Sequence, residues 1–240
     1  MEQRLQTFLA HAGVASRRAA ISVIENGQVT VDGVVVREKG HKVDPSKQKV
    51  CVKGVPVGHE KKYYFMLNKP VDVISTAIDT HGRKKVTDFF REIKARLYPV
   101  GRLDKDTTGL MVVTNDGPLA NRLSHPSFGI EKEYLVTVGR KLGDNDIKRI
   151  SSGIEVEGRK TAPCVIKTER TSGEGTVYRV YLHEGRKRQI REMFRQAGVR
   201  VQALDRVKYA GLSLGRLRRG EYRELTRAEI EMLSGKDTRG

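Results

Sequence analysis

The spacing of apolar residues in the first sixty positions changes period partway along. Leu5, Phe8 and Leu9 recur at the spacing of one helix face. Ser16 stands where a second helix is capped, and Gly27 stands where that helix's left-handed C-terminal residue belongs. The chain then turns β-branched. VTVDGVVV sets two arms around Asp32-Gly33, a two-residue hairpin signal, and a further strand is expected near KVCV. The charged, glycine-containing stretch VGHEKK, residues 57–62, reads as a linker. The pattern therefore divides the chain into a small helix-helix-hairpin module, residues 1–60, and a larger domain, residues 61–240.

In the larger domain, strand-like runs KYYFML, VDVIS, LMVVT, EYLVTV, CVIKTE and TVYRVYL are interrupted by helical candidates at 86–96, 118–124, 143–151 and 187–197. A last helix begins at Thr226, with Glu229 three residues on completing a capping box. The alternation is too irregular for a doubly wound parallel fold. An α+β domain on a largely antiparallel or mixed sheet is predicted instead. No repeat of 20 to 50 residues is visible.

Composition adds a partner. At 38% hydrophobic residues the 240-residue chain can furnish a real core, and no run nears the roughly 18 apolar residues of a membrane span. The N-terminus lacks a secretory pattern, so the expected location is the cytoplasm. Cys51 and Cys164 have no metal or disulfide spacing and are expected to be reduced and buried. The net charge is +17, and residues 183–223 carry twelve Lys or Arg against four acids, which is +8 of that excess. Such density points to a polyanion. Nucleic acid is favoured over a membrane surface because no helix with a large apolar face accompanies the charge.

Chemistry concentrates in VGRLDKDTTGLMVVTNDG, residues 100–117, with three carboxylates at Asp104, Asp106 and Asp116. A calcium loop is one reading of DKDTTG, but its twelfth position is Asn115 where a bidentate Glu is needed. An Asp-nucleophile phosphatase is another, from the DxDxT pattern of the haloacid-dehalogenase phosphatases, but Gly101 and Arg102 interrupt the apolar strand that family places before it. Turn chemistry accounts for Asp106 and Asp116, which are expected to be solvated or to shape turns.

YPVGRLDKDTTGLMVVTNDG also resembles the signature of the pseudouridine synthases of the RsuA type. Further similarities follow in order: LNKPVDVIST, EKEYLVTV, the basic helix HEGRKRQIREMFRQAGV, and RLQTFLAHAGVASRRAA as part of an N-terminal S-four RNA-binding domain. The resemblance implies isomerisation of uridine to pseudouridine in RNA, with no metal or organic cofactor. It implies Asp104 as the reacting carboxylate, paired with Arg191, and Tyr134 as the ring stacking on a flipped-out base. Arg102, Ile190 and Lys69 would contact the substrate or line its path. Arg17, Arg18, Arg186, Lys187, Arg188 and Arg195 would supply RNA affinity through phosphate contacts.

The segment RKKVTDFF, residues 83–90, is similar to the large-subunit ribosomal RNA enzymes of the RluB kind. The expected partner is thus ribosomal RNA or a ribosomal assembly intermediate, met by a monomer with no membrane association. A small-subunit target and a non-catalytic ribosome-binding or assembly protein stand as alternatives.

Overall fold

The computed structural model describes residues 2–58, 60–173 and 175–235. It falls into two compact units, one of residues 1–63, 93–96 and 115–117 and the other of the remaining chain.

The smaller unit is built as its periodicity suggests. Helix α1, Leu5–His11, is followed by α2, Arg17–Glu25, whose cap Ser16 accepts a hydrogen bond from the Ala19 amide at 3.0 Å. Gly27 takes φ +68° just beyond α2, ending it as expected. Strands β1, Val29–Val31, and β2, Val34–Val36, form the hairpin, and Asp32 and Gly33 both take the positive φ that a type I′ turn requires. Strands β3, Val50–Val52, and β4, Val55–Pro56, extend the sheet in the order β2-β1-β3-β4. Leu5, Phe8, Leu9, Ala20 and Ile24 close over Val29, Val31, Val36, Val43 and Val50 to make one core. The described part of 57–62 has no regular secondary structure; His59 of that segment, and the tail after residue 235, lie outside the described residues.

The larger unit is organised on a mixed sheet. Its strands are β5, Tyr64–Lys69; β6, Thr108–Thr114; β7, Lys132–Val138; β8, Val165–Ser172; β9, Gly175–Leu182; β10, Val201–Tyr209; and β11, Tyr222–Glu224. Their order across the sheet is β8-β9-β7-β10-β6-β5-β11, with short pieces Tyr98–Pro99 and Leu212–Ser213 joined to β6 and β10. Only the β6–β10 pairing is parallel among those described. The helices are α3, Gly117–Ser124; α4, Asp144–Ser151; α5, Gln189–Gln196; and α6, Arg227–Ser234. Thr226 and Glu229 form the capping box of α6.

Strand β6 is buried at every position from Gly109 to Thr114, which a central strand covered on both faces requires. One face packs Met66, Leu110, Val112 and Tyr209 against Leu119 and Leu123 of α3 and Leu233 of α6. Tyr178 of β9 meets Phe194 of α5, with ring centroids 5.8 Å apart.

The sequence reading differs from the structure in several elements. VDVIS forms no strand; Ile74 makes one isolated bridge to Lys85. The helix expected at 86–96 is a single 3-10 turn, Val86–Phe90, whose Phe90 is buried beside Phe65 and Tyr222. Two strands, β10 and β11, lie in the segment read only for its charge. Cys51 is half-buried rather than buried, while Cys164 is buried; both are free thiols.

Candidate active site

Four neighbouring strands align one residue each in a transverse row: Lys69 of β5, Gly109 of β6, Arg206 of β10 and Tyr134 of β7. Gly109, at φ +109°, is required there. A Cβ on it would collide with the Arg206 backbone and the Asp205 carboxylate, so only glycine lets β6 and β10 approach. Directly opposed residues share a face of the sheet, so Lys132 and Tyr134 of β7 stand beside Tyr209 and Arg206 of β10. These four side chains line one side of a cavity of about 650 Å³.

The loop before β6 supplies the other side. Residues 104–107 form a turn closed by the Thr107 amide donating to the Asp104 carbonyl at 3.0 Å. Every neighbouring carbonyl is held. Ser75 Oγ donates to the Leu103 carbonyl at 2.6 Å and accepts from the Leu103 amide at 3.0 Å. The Lys105 carbonyl accepts from the Asp72 amide, the Asp106 carbonyl from Arg191 Nη2, and the Thr107 carbonyl from Lys69 Nζ, at 2.9, 2.8 and 2.8 Å. This backbone is fixed from outside. Asp104 is left facing the cavity, and among the described residues its carboxylate has no hydrogen bond or ion pair.

Helix α5 forms the adjoining wall. Its residues Gln189, Ile190, Met193 and Phe194 are buried, and Gln189 ties the segment before the helix by accepting from the Arg186 amide and donating to Glu184. Arg188 and Arg191 then point at the turn. Arg188 Nη1 and Nη2 donate to both Asp106 carboxylate oxygens at 3.2 and 3.1 Å, and Arg191 Nε lies 3.3 Å from Asp106 Oδ2. Burial works against the charged form of Asp106, yet the Arg188 hydrogen bonds and the charges of Arg191 and Arg188 hold its carboxyl below the usual range. Burial likewise lowers Arg191, with Asp106 acting in the opposite direction.

The cavity brings together Asp104, Tyr134, Ile190 and Arg102, with Arg186, Lys187 and Arg188 around them. Tyr134 and Ile190 are buried in its wall and Arg102 is exposed at its rim. Three expectations require correction. Arg191 pairs with Asp106, not Asp104, because the 104–107 turn directs the second carboxylate toward α5. Asp106 is accordingly the partner of two arginines and not a merely solvated turn residue. Lys69 does not line a path for RNA. It is fully buried, with Nζ on the Pro70 and Thr107 carbonyls, and burial pushes its pKa down to about 8 against the opposing pull of Asp106 and Asp104.

Other basic residues divide. Arg186 is committed to the Arg159 and Lys160 carbonyls at 2.8 and 2.6 Å, and Arg195 pairs with Glu192 on its own helix. Lys187 is exposed and lines both this cavity and an adjoining groove of about 1360 Å³ that also takes in Arg188, Arg191, Arg195 and Arg200. In the smaller unit, Arg17 and Arg18 open α2 and are exposed.

Two residues of the site were missed in the sequence. Ser75 was read as part of a strand. Arg206 was read only as one charge of a basic run, and VQALDRVKY offers no steady alternation to mark it as a buried strand residue. Among the described residues no cluster of three or more His, Cys, Asp or Glu is arranged to hold a metal, and no helix is long and apolar enough to cross a membrane.

Comparison with known proteins agrees with this architecture. The S4 domain model matches residues 3–49, and the RNA pseudouridylate synthase model matches residues 63–196. The ribosomal large subunit pseudouridine synthase B of Bacillus subtilis is 46% identical over 233 residues, covering 96% of this chain and 95% of its own. An uncharacterized RNA pseudouridine synthase of Aquifex aeolicus is 40% identical over 97% of this chain and 94% of its own. A crystal structure of pseudouridylate synthase superposes with a TM-score of 0.68 at 31% identity, covering 96% of this chain and 99% of that one. The chain therefore belongs to the RNA pseudouridylate synthase family and is an RNA pseudouridine synthase carrying an S4 domain.

Proposed function

We propose that the protein converts a specific uridine of large-subunit ribosomal RNA to pseudouridine, with Asp104 as the reacting carboxylate. The observation that carries this reading is the cavity in which the unpaired Asp104 carboxylate meets Tyr134, Ile190 and Arg102. The large-subunit target rests on the name of the Bacillus subtilis relative. Site of action, oligomeric state and domain roles belong to the same proposal: a cytoplasmic monomer in which residues 1–60 add RNA affinity and residues 61–240 perform the chemistry.

A stacked uridine hides its reactive carbons, so the nucleotide must leave the helix at a cost of a few kcal/mol. Tyr134 and Ile190 then receive the base on apolar surface, and the Tyr134 phenol assists proton movement. Arg102, at the rim, holds the backbone of the flipped nucleotide or fills its place in the stack. Asp104 adds to the sugar or the base, or removes the 2′ proton of the ribose; each route suits a carboxylate held on a fixed turn. Arg191 acts one step away, through its hydrogen bond to the Asp106 carbonyl and its ion pair with the Asp106 carboxylate. Lys69 acts from beneath, on the Thr107 carbonyl. Lys187, Arg188 and Arg195 along the groove, Arg186 at the cavity edge, and Arg17 and Arg18 on α2 meet phosphates, which position the RNA without reading its sequence.

The test is to incubate ribosomal RNA with wild type and Asp104→Asn and map pseudouridine at single-nucleotide resolution. One modified large-subunit position, lost in Asp104→Asn with RNA binding retained, is the expected result. A modified small-subunit position would replace the proposed target. Full activity of Asp104→Asn would remove Asp104 from the chemistry. Tyr134→Phe should keep RNA binding and base stacking while slowing turnover; equal rates would limit Tyr134 to packing.

A further inference from the structure

Arg206 is 2% exposed, yet it lines the same cavity as Asp104. Its guanidinium is held in two ways. Nε donates to the Leu110 carbonyl at 2.8 Å, and the planar group stacks over Tyr209 at 4.4 Å from the ring centroid. Tyr209 is itself fixed by its hydroxyl donating to the Leu123 carbonyl at 2.6 Å. Nη2 remains: it is buried and has no hydrogen-bond partner. A buried cationic donor without an acceptor is costly, and native structures keep few of them. Here the donor belongs to a fixed guanidinium whose residue lines the cavity, so the acceptor is expected to arrive with the substrate.

The substrate offers phosphate oxygens, ribose hydroxyls and the two uracil carbonyls. Depth selects among them. Phosphates belong at the rim, where Arg102, Lys187 and Arg188 are exposed. Arg206 is the register partner of Tyr134 on the same face of the sheet, so a ring lying on Tyr134 presents its edge to Arg206. We propose that Arg206 is a catalytic residue of this enzyme, donating from Nη2 to a uracil carbonyl oxygen and stabilising the negative charge that collects there when the base leaves the sugar.

The chemistry balances without any further reactant. Breaking the bond from C1′ to N1 leaves its electron pair on the ring, spread over N1 and the carbonyl oxygens. The electron deficiency at C1′ is met by the Asp104 carboxylate or by loss of the 2′ proton to it. After the ring turns, C5 joins C1′ with that pair as the bond from C1′ to the Asp104 carboxylate breaks or, on the other route, as the proton held by Asp104 returns to the 2′ carbon; the proton of C5 then leaves while N1 gains one. Throughout, a fixed guanidinium opposes the charge in a site of low dielectric, where such a donor is most effective.

This inference rests on the flipped uracil occupying the cavity, and the experiment separates the two. Single-turnover rates are measured on a ribosomal RNA fragment whose target is uridine, 2-thiouridine or 4-thiouridine, since sulfur accepts hydrogen bonds poorly. Wild type, Arg206→Met, Arg206→Lys and Asp104→Asn are compared. Arg206→Met should slow wild-type turnover by about 10²- to 10³-fold, the range for removal of one such donor. RNA affinity should be unchanged, and Arg206→Lys should recover part of the rate.

One of the two thio substitutions should slow the wild type and cost Arg206→Met nothing further, because the bond is already gone. Equal thio penalties in both proteins would overturn the assignment, as would an Arg206→Met enzyme with the wild-type rate. If Arg206→Met does not fold, the wild type alone carries the test, and a wild-type rate unchanged by both thio substitutions counts against the proposal. Activity retained in Asp104→Asn would instead displace the Asp104 reading while leaving the Arg206 cycle interpretable.

Discussion

Asp104 and Asp106 lie two residues apart on one turn, yet they stand in opposite kinds of surroundings. Asp106 is spoken for by Arg188 and Arg191 on the groove side, and its carboxyl is held below the usual range. Asp104, on the cavity side, has an anchored backbone and an unpaired carboxylate. The same contrast separates the arginines. Arg186, Arg188 and Arg195 are committed to carbonyls or carboxylates, whereas buried Arg206 keeps one donor unused. Groups that build the site are satisfied within the protein, and those facing the cavity keep their bonding capacity for what enters it.

Exchanging the two carboxylates for amides tests that division most severely. Asp104→Asn should lose turnover completely while its melting temperature stays near that of the wild type. Asp106→Asn should do the reverse. It should retain turnover at a reduced rate and lose stability, though by no more than about 1 kcal/mol, because this ion-paired carboxylate is half exposed and screened. Paired measurements of single-turnover rate and thermal melting decide the matter, and an Asp106→Asn enzyme as dead as Asp104→Asn would end the contrast.

Lys69→Met should have the largest effect on the fold itself, because it takes the donor from the buried Thr107 carbonyl, at a cost of about 1 to 3 kcal/mol. It should also alter the pH dependence of stability. The folded Lys69 sits at about 8 and the ordinary value is 10.5. Between those values the unfolded chain binds more protons, so stability rises with pH across the window. Lys132, lowered to about 8 chiefly by burial, contributes in the same direction. Urea midpoints from pH 7 to 10.5 should climb in the wild type and climb less in Lys69→Met; identical slopes would show that burial does not lower Lys69 and that it stays charged across this range.

How much of this was legible in the sequence depended on whether local rules and tertiary rules agreed. The cap at Ser16, the Asp32-Gly33 hairpin and the box at Thr226 are set by neighbours in sequence, and each formed where the pattern placed it. Strand β10 was missed for a physical reason. Its pairing with β7 slips twice, between Tyr134 and Glu133 and again between Thr137 and Val138, leaving Val207 and Gln202 as extra residues. A bulge shifts the phase of burial, so VQALDRVKY shows no steady alternation, and its buried arginine looked like one more surface charge. The cavity residues Asp104, Tyr134 and Ile190 were found through their motifs. The partner of Arg191 was not, because spacing along the chain does not say which of two carboxylates on a turn faces a helix.

Lys187 carries the smallest expected effect and probes the contrast from the solvent side. It is exposed on both the cavity and the groove, and its charge is not drawn into the ion pairs around Asp106. An available charge of this kind should release about one counterion on binding RNA, so Lys187→Ala should reduce the slope of log affinity against log salt by about 1. Arg186→Ala should change that slope less, since its guanidinium is occupied by the Arg159 and Lys160 carbonyls. Titrations of ribosomal RNA fragments at several salt concentrations give both slopes. If Arg186 proved the larger contributor, commitment within the protein would not predict which basic residues are free for RNA, and the rule drawn from the two carboxylates would stop at the cavity.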